Sequence, residues 1–294
     1  MIYQNSIFEQ LSKKANNSNN SNKKLLIQNF LNNGGNINVK NKDGDTLLSH
    51  YCFKNDLEMV KFLLDNGANI HSKNYDKETP LHLATYLSSV ELVEYLLSHD
   101  SSNIDAQDSS KNTPLLIAAA NDQIDICHIL LKYHANTDLT CSNGYSALHL
   151  CLYNNRDEIF NLLINHGANP NLADRGFNTP LFIACQKQNI PAIYKLLQHG
   201  ADINARDRYK NTPLHTVIMS KNLEAIKILL SFSPKLNLKN NDKQTPLMLA
   251  KTYLTNEPEA LSLIESLIES LYLYQKMNKL PLQTSIAKKN KNKI

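Results

Sequence analysis

The feature that most constrains this chain is a tetrapeptide that returns every 33 or 34 residues. Its clearest copies, Thr-Pro-Leu-His, begin at Thr79 and Thr212. Seven copies in all begin at positions 46, 79, 113, 146, 179, 212 and 245, and we number the repeats 1 to 7 in that order. A fixed period of this length is typical of arrays in which one supersecondary unit stacks on its neighbours. The chain is therefore expected to form a repeat array and not one globular core.

Each period carries the signals for two helices. Thr212 is suited to be an N-cap, because its hydroxyl can accept a hydrogen bond from a free N–H of the first turn. Pro213 then falls at the first helical position, where its missing N–H costs nothing. Apolar residues follow at helical spacing in two runs, Leu214, Val217 and Ile218, then Leu223, Ile226, Leu229 and Leu230. Glycines at positions 67, 167 and 200 follow the last leucine pair of their repeats, as a left-handed helix terminus favours.

These residues resemble the ankyrin repeat family. The resemblance rests on the Thr-Pro-Leu-His tetrapeptide and on a second recurring run, Leu-Leu followed by Gly-Ala and Asn or Asp, at 63–69, 162–169 and 196–202. It covers residues 36 to 255, and 1 to 275 with atypical units at both ends. The resemblance implies an all-α ankyrin-repeat solenoid of paired antiparallel helices with β-hairpin-like connecting loops. It also implies a protein partner bound on a concave face formed by the hairpin tips and the first helices.

On this basis the chain divides into four segments. They are a degenerate N-terminal capping repeat (1–35), an array of about seven repeats (36–255), an extended C-terminal capping helix (256–277) and a basic disordered tail (278–294). Apolar residues predict a short helix around Phe8 and a second one over 25–31. The low-complexity run 16–22 between them is expected to be mobile. The connection at Ser101 carries one extra residue and is expected to be distorted.

Charge and composition restrict the partners. The chain has 31 Lys and Arg against 27 Asp and Glu, and four lysines fall within the last fourteen residues without an acid. The body is therefore neutral, which argues against a nucleic-acid partner, because such binding depends on many phosphate contacts. No run of 18 apolar residues is present, so no membrane span is expected.

The cysteines and the N-terminus indicate a compartment. Five cysteines fall at different repeat positions, and an odd, scattered set of thiols is typical of a reducing environment. The first fourteen residues lack the apolar core of a secretory signal, so no cleaved signal peptide is expected. We therefore expect a cytoplasmic location, which for a secreted effector would be the cytosol of a host cell.

No catalytic, metal or cofactor site is predicted. A Gly-rich phosphate loop, HExxH, GxSxG and CxxC are all absent from the sequence. His82, His149 and His215 each stand fourth in a tetrapeptide, where we expect them to bond a neighbouring turn. Histidines at 99, 166 and 199 share another repeat position, but stacked helices lie about 8–10 Å apart, too far for one zinc ion. The chain is therefore interpreted as a non-enzyme without a small-molecule substrate.

The candidate partner-binding residues are aromatic and basic side chains that the repeat does not dictate. They are Tyr75, Tyr86, Tyr145, Tyr153, Arg175, Phe177, Arg208, Tyr209 and Lys210. Tyr and Arg are enriched among the residues that dominate binding energy. The first two hairpin loops are mostly acidic and the next five mostly basic, which predicts a partner with an acidic and apolar segment across repeats 5 and 6. Ordinary surface variation is the alternative.

Two further expectations concern the C-terminal region. Residues 261, 264, 267, 268 and 271 form one apolar stripe on the last helix, and Leu263, Tyr272, Leu273 and Tyr274 lie off it. Unsatisfied apolar side chains here are expected to contact the C-terminal tail, a partner or a second copy of the chain, the last of which would be self-association through this helix. Asn204 lies eight residues after Leu196, in a pattern that resembles the target of an asparaginyl hydroxylase in other ankyrin proteins.

The sequence thus predicts a protein–protein interaction scaffold, with an effector role in a host cell as one setting. A substrate-recognition adaptor for a ubiquitin ligase, or for another multi-protein complex, is the alternative, and its second docking motif would have to fall in 256–294. An enzyme would need a catalytic domain outside the repeats, and no sequence is left for one.

Overall fold

A computed structural model describes Phe8 and residues 20–255 and 258–277, without the side chains of 20, 259, 260, 263 and 274–277. These residues form 15 helices and no strand, and one isolated β-bridge joins Lys40 to Thr46. The predicted all-α repeat fold is therefore confirmed. The segment 278–294, predicted as a disordered tail, lies outside the described residues.

Helix α1 covers Asn20–Asn32, and one pair of helices follows for each repeat. The pairs are α2 (Leu47–Phe53) with α3 (Leu57–Asp65), α4 (Pro80–Tyr86) with α5 (Val90–His99), α6 (Pro114–Ala120) with α7 (Ile124–Lys132), α8 (Ala147–Tyr153) with α9 (Asp157–Asn165), α10 (Pro180–Gln186) with α11 (Ile190–Gln198), α12 (Pro213–Met219) with α13 (Leu223–Ser231), and α14 (Pro246–Tyr253) with α15 (Pro258–Met277). The chain forms two compact units, an N-terminal unit (1–175) and a C-terminal unit (176–294).

The first helix of each pair begins as its tetrapeptide predicts. Thr79 has an extended backbone, and its hydroxyl accepts the N–H of His82 at 3.4 Å. Thr113 caps α6 in the same way through the N–H of Leu116, at 3.2 Å. Proline is the first residue of α4, α6, α10, α12 and α14. Because an N-cap of this kind contributes about 1 kcal/mol, the tetrapeptide sets the helix start locally.

In repeats 1 to 6 the second helices end in a left-handed turn, with one exception. Gly67 and Gly200 have φ angles of 83°, a conformation that glycine adopts at little cost. Ser233 takes the same conformation in repeat 6 with a φ of 56°, although no glycine is present. Asp100 instead is extended, with a φ of −159°, after a helix one residue longer than most. The predicted distortion at Ser101 is therefore confirmed.

Within each unit, first helices pack on first helices. Helix α4 contacts α2 and α6, and helix α12 contacts α10 and α14. The third residue of the tetrapeptide lies between them, and its leucine is buried at 148, 181 and 214. One helix pair could not bury these faces alone, so the stacking supplies the hydrophobic core.

The N-terminal end of the array is covered. Helix α1 packs against α3, Ile27 is fully buried, and the ring of Phe8 lies edge-on to His50 at 5.9 Å. The Lys23 ammonium contacts the Asp56 carboxylate at 3.2 Å. Since α1 begins at Asn20, the prediction of a mobile run over 16–22 is wrong for residues 20–22. Asn and Ser are favoured at helix starts, because their side chains can bond the first free N–H groups. Residues 16–19 lie outside the described part of the chain.

The C-terminal end is formed by the long helix α15. Ile264 and Ile268 are buried against α13 and α14, as the predicted stripe requires. Tyr272 and Leu273 are exposed, whereas the side chains of Leu263 and Tyr274 lie outside the described residues. Met248 is also exposed, although the equivalent side chain is buried in repeats 1 to 6. Helix α14, the first helix of repeat 7, is therefore uncovered on the side that carries Met248.

Candidate partner-binding surface

The hairpin loops are closed and connected by backbone hydrogen bonds. The Asp108 carboxylate accepts the N–H groups of Ser110 and Asn112 at 2.8 and 2.7 Å. Successive loops are then linked to each other, since the N–H of Ser109 donates to the carbonyl of Asp76 at 2.7 Å. In the C-terminal unit, the N–H of Asn241 donates to the carbonyl of Tyr209 at 2.9 Å. The side chains on these loops are therefore positioned by a backbone whose N–H and carbonyl groups are hydrogen-bonded.

One position in every loop has a positive φ angle, and we call it the tip position. It is occupied by Gly44, Lys77, Lys111, Gly144, Phe177, Lys210 and Lys243, with φ angles from 61° to 83°. Glycine is required at 44, because a Cβ atom there would lie 2.8 Å from the backbone nitrogen of Tyr75. Phe177 is the unusual member, since a bulky side chain with a φ of 62° is an outlier. Such strain is found where a structure has a functional reason to keep it.

The hairpin loops of the C-terminal unit carry an exposed aromatic and basic set. Phe177 and Tyr209 are 62% and 60% exposed, and Arg208, Lys210 and Lys243 are exposed as well. In the part of the chain that the structure describes, none of these three cations forms an ion pair. The predicted residues Phe177, Arg208, Tyr209 and Lys210 therefore lie together on neighbouring loops, available to a partner.

The N-terminal unit presents a different set. Tyr75 is 67% exposed on its loop, and Phe53 is exposed at the end of α2. Tyr86 at the end of α4 is only partly exposed, and its hydroxyl donates to the Asp108 carboxylate at 3.4 Å. Burial, together with that carboxylate, raises the pKa of Tyr86 to about 12. Tyr86 therefore stays a neutral donor that ties α4 to the next loop.

Two predicted residues in repeat 4 contact each other. The rings of Tyr145 and Tyr153 meet edge-to-face with centroids 5.2 Å apart, and both side chains are half-buried. The Tyr153 hydroxyl donates to the Asp174 carboxylate at 3.4 Å. Their rings support the loop and offer a partner less surface than Tyr75 or Tyr209. Sequence reasoning could not anticipate this pair, because the loop conformation brings it together.

The two remaining predicted residues are placed as follows. Arg175 is exposed at the end of the N-terminal unit, and its N–H donates to the carbonyl of Asn143 at 3.2 Å. The Asn204 side chain oxygen accepts the N–H of Lys235 at 2.7 Å, so it links two successive repeats. Hydroxylation of Asn204 stays a prediction.

Comparison with known proteins identifies the family. The ankyrin repeat model matches in three copies, over residues 12–108, 100–174 and 181–279. The chain belongs to the ankyrin repeat family. Ankyrin repeats are protein–protein interaction modules, and their fold is generally a non-enzymatic scaffold. A search of curated proteins gives no match.

Solved ankyrin repeat domains superpose on most of the chain. The domain of Bcl-3, described as a unique member of the IkappaB protein family, has a TM-score of 0.66 and 25% identity over 76% of this chain and 100% of that one. The human ASB11 domain has a TM-score of 0.58 and 24% identity, covering 75% and 98%. A domain from Acinetobacter baumannii AYE has a TM-score of 0.60 and 24% identity, covering 64% and 98%. The last two matches show the fold alone.

The tetrapeptide histidines of this ankyrin array are structural, as predicted. In His82, Nδ1 accepts the N–H of Thr79 at 3.2 Å, and Nε2 donates to the carbonyl of Asn112 at 3.1 Å. His215 makes the equivalent bonds to Thr212 and Gln244. One nitrogen must accept and the other donate, so the ring is neutral. Burial lowers the pKa of both histidines, which agrees with this geometry.

The other titratable side chains do not form a reaction centre among the described residues. All five cysteines are unpaired, and four are buried. Burial raises the pKa of Cys127 to about 12 and also raises the pKa values of Cys52 and Cys185, which makes these thiols poor nucleophiles. The described residues hold no group of three His, Cys, Asp or Glu placed to bind a metal. None of the described helices is both long and apolar enough to cross a membrane.

The two units differ in charge. Residues 20–175 carry 18 acidic and 12 basic side chains, whereas residues 176–255 carry 4 acidic and 11 basic ones. In the N-terminal unit several cations are paired, for example Arg156 with Asp122 at 2.9 Å and Lys132 with Glu94 at 3.6 Å. The difference is hidden in the net charge of the repeats taken together, which is close to zero, but it is visible in the sequence when the charges of each repeat are counted separately.

Proposed function

We propose that this ankyrin repeat protein is a scaffold whose partner binds the surface formed by the hairpin loops and the ends of the first helices. The observation that carries the proposal is the exposure of Tyr75 in the N-terminal unit and of Phe177 and Tyr209 in the C-terminal unit. The loops of Tyr75 and Tyr209 are each hydrogen-bonded through the backbone to a neighbouring loop of their own unit. Large aromatic side chains lose little conformational freedom on binding, and they often dominate the energy of an interface. Exposing several of them on surface loops has no benefit for the isolated fold.

The proposal includes a partner segment with acidic and apolar side chains at the C-terminal unit. Among the described residues Arg208, Lys210 and Lys243 form no ion pair, and the exposed rings of Phe177 and Tyr209 lie on the hairpin loops of the same unit. Opposite charge would chiefly speed association and set orientation. The aromatic contacts would contribute more of the affinity.

Photo-crosslinking tests this surface. A photoreactive phenylalanine analogue would replace Tyr75 or Tyr209, and in a control protein it would replace Tyr194, an exposed aromatic residue on the second helix α11. We expect the two loop positions to capture one and the same protein from a cell lysate, and the Tyr194 position to capture none of it. Capture through Tyr194 alone would place the binding surface on the second helices and refute the proposal.

A cytosolic location also belongs to the proposal, and for an effector this would be the cytosol of a host cell. Five unpaired thiols support it, because disulfides are rare in reducing compartments. Rapid alkylation of denatured protein from its native source tests this point. We expect all five cysteines to be alkylated without a reductant, whereas a mixed or internal disulfide would contradict a cytosolic location.

A further inference from the structure

The tip positions of the C-terminal unit repeat one backbone conformation with different side chains. Phe177, Lys210 and Lys243 occupy the same place in three successive loops, with φ angles of 62°, 61° and 61°. All three side chains are exposed. One apolar group and two cations therefore lie in a row, and we call these three residues the tip row.

The spacing of the tip row follows from the packing of the repeats. Helices in contact pack about 8–10 Å apart, and α10, α12 and α14 contact each other in sequence. Equivalent tip residues are therefore separated by about the same distance. A ligand that meets all three must present side chains on one face at that interval.

Among regular backbones, polyproline II matches this interval best. It has three residues per turn and rises about 3.1 Å per residue, so every third side chain returns to the same face after about 9 Å. In a β-strand every second side chain lies on the same face, so side chains on that face are about 6.6 Å apart, or about 13 Å apart when one of them is skipped. In an α-helix a side chain returns to nearly the same face after seven residues, which is about 10.5 Å and lies at the edge of the range of about 8–10 Å.

We propose that the tip row binds an extended polyproline II segment of a partner. The segment carries one apolar and two acidic residues at intervals of three, and it binds with its chain running in one direction along the row. The apolar side chain contacts Phe177, and the carboxylates pair with Lys210 and Lys243. The segment belongs to a protein partner, and in this respect the inference rests on the proposed function. The backbone strain at Phe177 then has a purpose, because it is kept at a residue that contacts the ligand.

The chain supplies matched controls. Lys77 and Lys111 occupy the tip position of the N-terminal unit, each with a φ of 61° and an exposed side chain. A charge reversal there changes net charge and loop composition as much as a reversal at Lys210 or Lys243 does. Only the C-terminal variants should alter binding of the segment.

Fluorescence anisotropy with labelled peptides tests the inference on the full chain. The first peptide, called the spaced peptide, carries Leu followed by Glu three and six residues later, with prolines at the positions between. It is also made with the reversed sequence, so that both chain directions are tested. The rearranged peptide has the same composition, but its two glutamates are adjacent to the Leu. We expect the spaced peptide to bind about tenfold more tightly in one direction. Lys210→Glu with Lys243→Glu should abolish this preference, and Phe177→Gly should lower affinity about tenfold. Lys77→Glu with Lys111→Glu should leave it unchanged.

Three results would overturn the inference. They are equal affinity for the spaced and rearranged peptides, tighter binding of a helical peptide with the same side chains at seven-residue intervals, and tighter binding of a single-stranded oligonucleotide. Thermal unfolding of Phe177→Gly at or above the parent temperature excludes misfolding as the cause of any loss. If crosslinking from the loops captures a partner while the peptides show no preference for the three-residue spacing, the polyproline II ligand is wrong and the proposed function stands.

Discussion

The N-terminal and C-terminal units are built from the same helix pairs, yet they treat charge differently. The N-terminal unit is acidic, and several of its cations are held in ion pairs such as the exposed pair of Lys132 with Glu94. The C-terminal unit is basic, and in the described part of the chain its tip cations Lys210 and Lys243 form no ion pair. An exposed ion pair contributes little to stability. The difference therefore concerns what each unit presents to other molecules more than how firmly it folds.

The aromatic side chains differ in the same sense. In the N-terminal unit Tyr86 and Tyr153 are used internally, each donating a hydrogen bond to an aspartate of the following loop. In the C-terminal unit Phe177 and Tyr209 extend into solvent. A surface that is already hydrogen-bonded to itself offers a partner less than one that is not. We therefore propose that more of the binding falls on the C-terminal unit.

The largest expected effect tests whether the two units share one kind of core. Leu148→Ala in the N-terminal unit and Leu214→Ala in the C-terminal unit each remove a fully buried side chain and should cost about 2–5 kcal/mol. Hydrogen exchange should show the loss of protection in the mutated unit first, because repeat arrays are coupled between neighbours. Leu25→Ala is the control, since Leu25 is exposed on α1. Equal loss throughout the chain would contradict the linear picture.

The next prediction concerns pH. The pKa values of His82 and His215 are lowered in the folded protein by burial, so the unfolded chain takes up protons first. The stability that the neutral rings provide is complete above the unfolded pKa of about 6.5 and is lost as the pH falls below it. Hydrogen exchange at decreasing pH should show opening of repeats 2 and 6 before repeat 3, where Leu116 replaces the histidine. Loss of protection in repeat 3 first would be evidence against the histidines as the cause.

A third prediction separates folding from binding at one residue. Phe177→Gly relieves a positive φ angle and should make the C-terminal unit about 0.5–1 kcal/mol more stable while weakening partner binding. Lys77→Gly provides the comparison in the N-terminal unit, where similar relief is expected with a smaller loss of binding. Chemical denaturation and partner affinity are measured for both variants. A less stable Phe177→Gly protein would mean that the ring contributes to the fold.

A fourth prediction, of small size, concerns self-association. Tyr272 and Leu273 are 59% exposed on α15, and exposed apolar side chains favour contact with a second copy. Sedimentation of the parent chain should show weak, concentration-dependent association, which Leu273→Glu should remove. A parent chain that stays monomeric at all concentrations would eliminate this contact.

The helices were predictable because their signals are local. The Thr-Pro pair places an N-cap and a first-turn proline in adjacent residues, and no distant contact is needed to interpret them. The tip conformation was not predictable at Lys210 or Phe177, since neither residue type favours a positive φ angle. The pairing of Tyr145 with Tyr153 was missed for a related reason, because it depends on how the loop folds back over α8. Site residues were thus found by type, and their availability required the structure.

The most direct test of the account is the rate at which the crosslinked partner associates with the chain as ionic strength is raised. With the parent protein, association should slow as salt screens the opposite charges. Arg208→Glu with Lys210→Glu should slow association at low salt and flatten its salt dependence, whereas Lys77→Glu with Lys111→Glu should change the parent curve much less. If the C-terminal variant also follows the parent curve, the hairpin tips of the C-terminal unit are not the binding surface and the central claim fails.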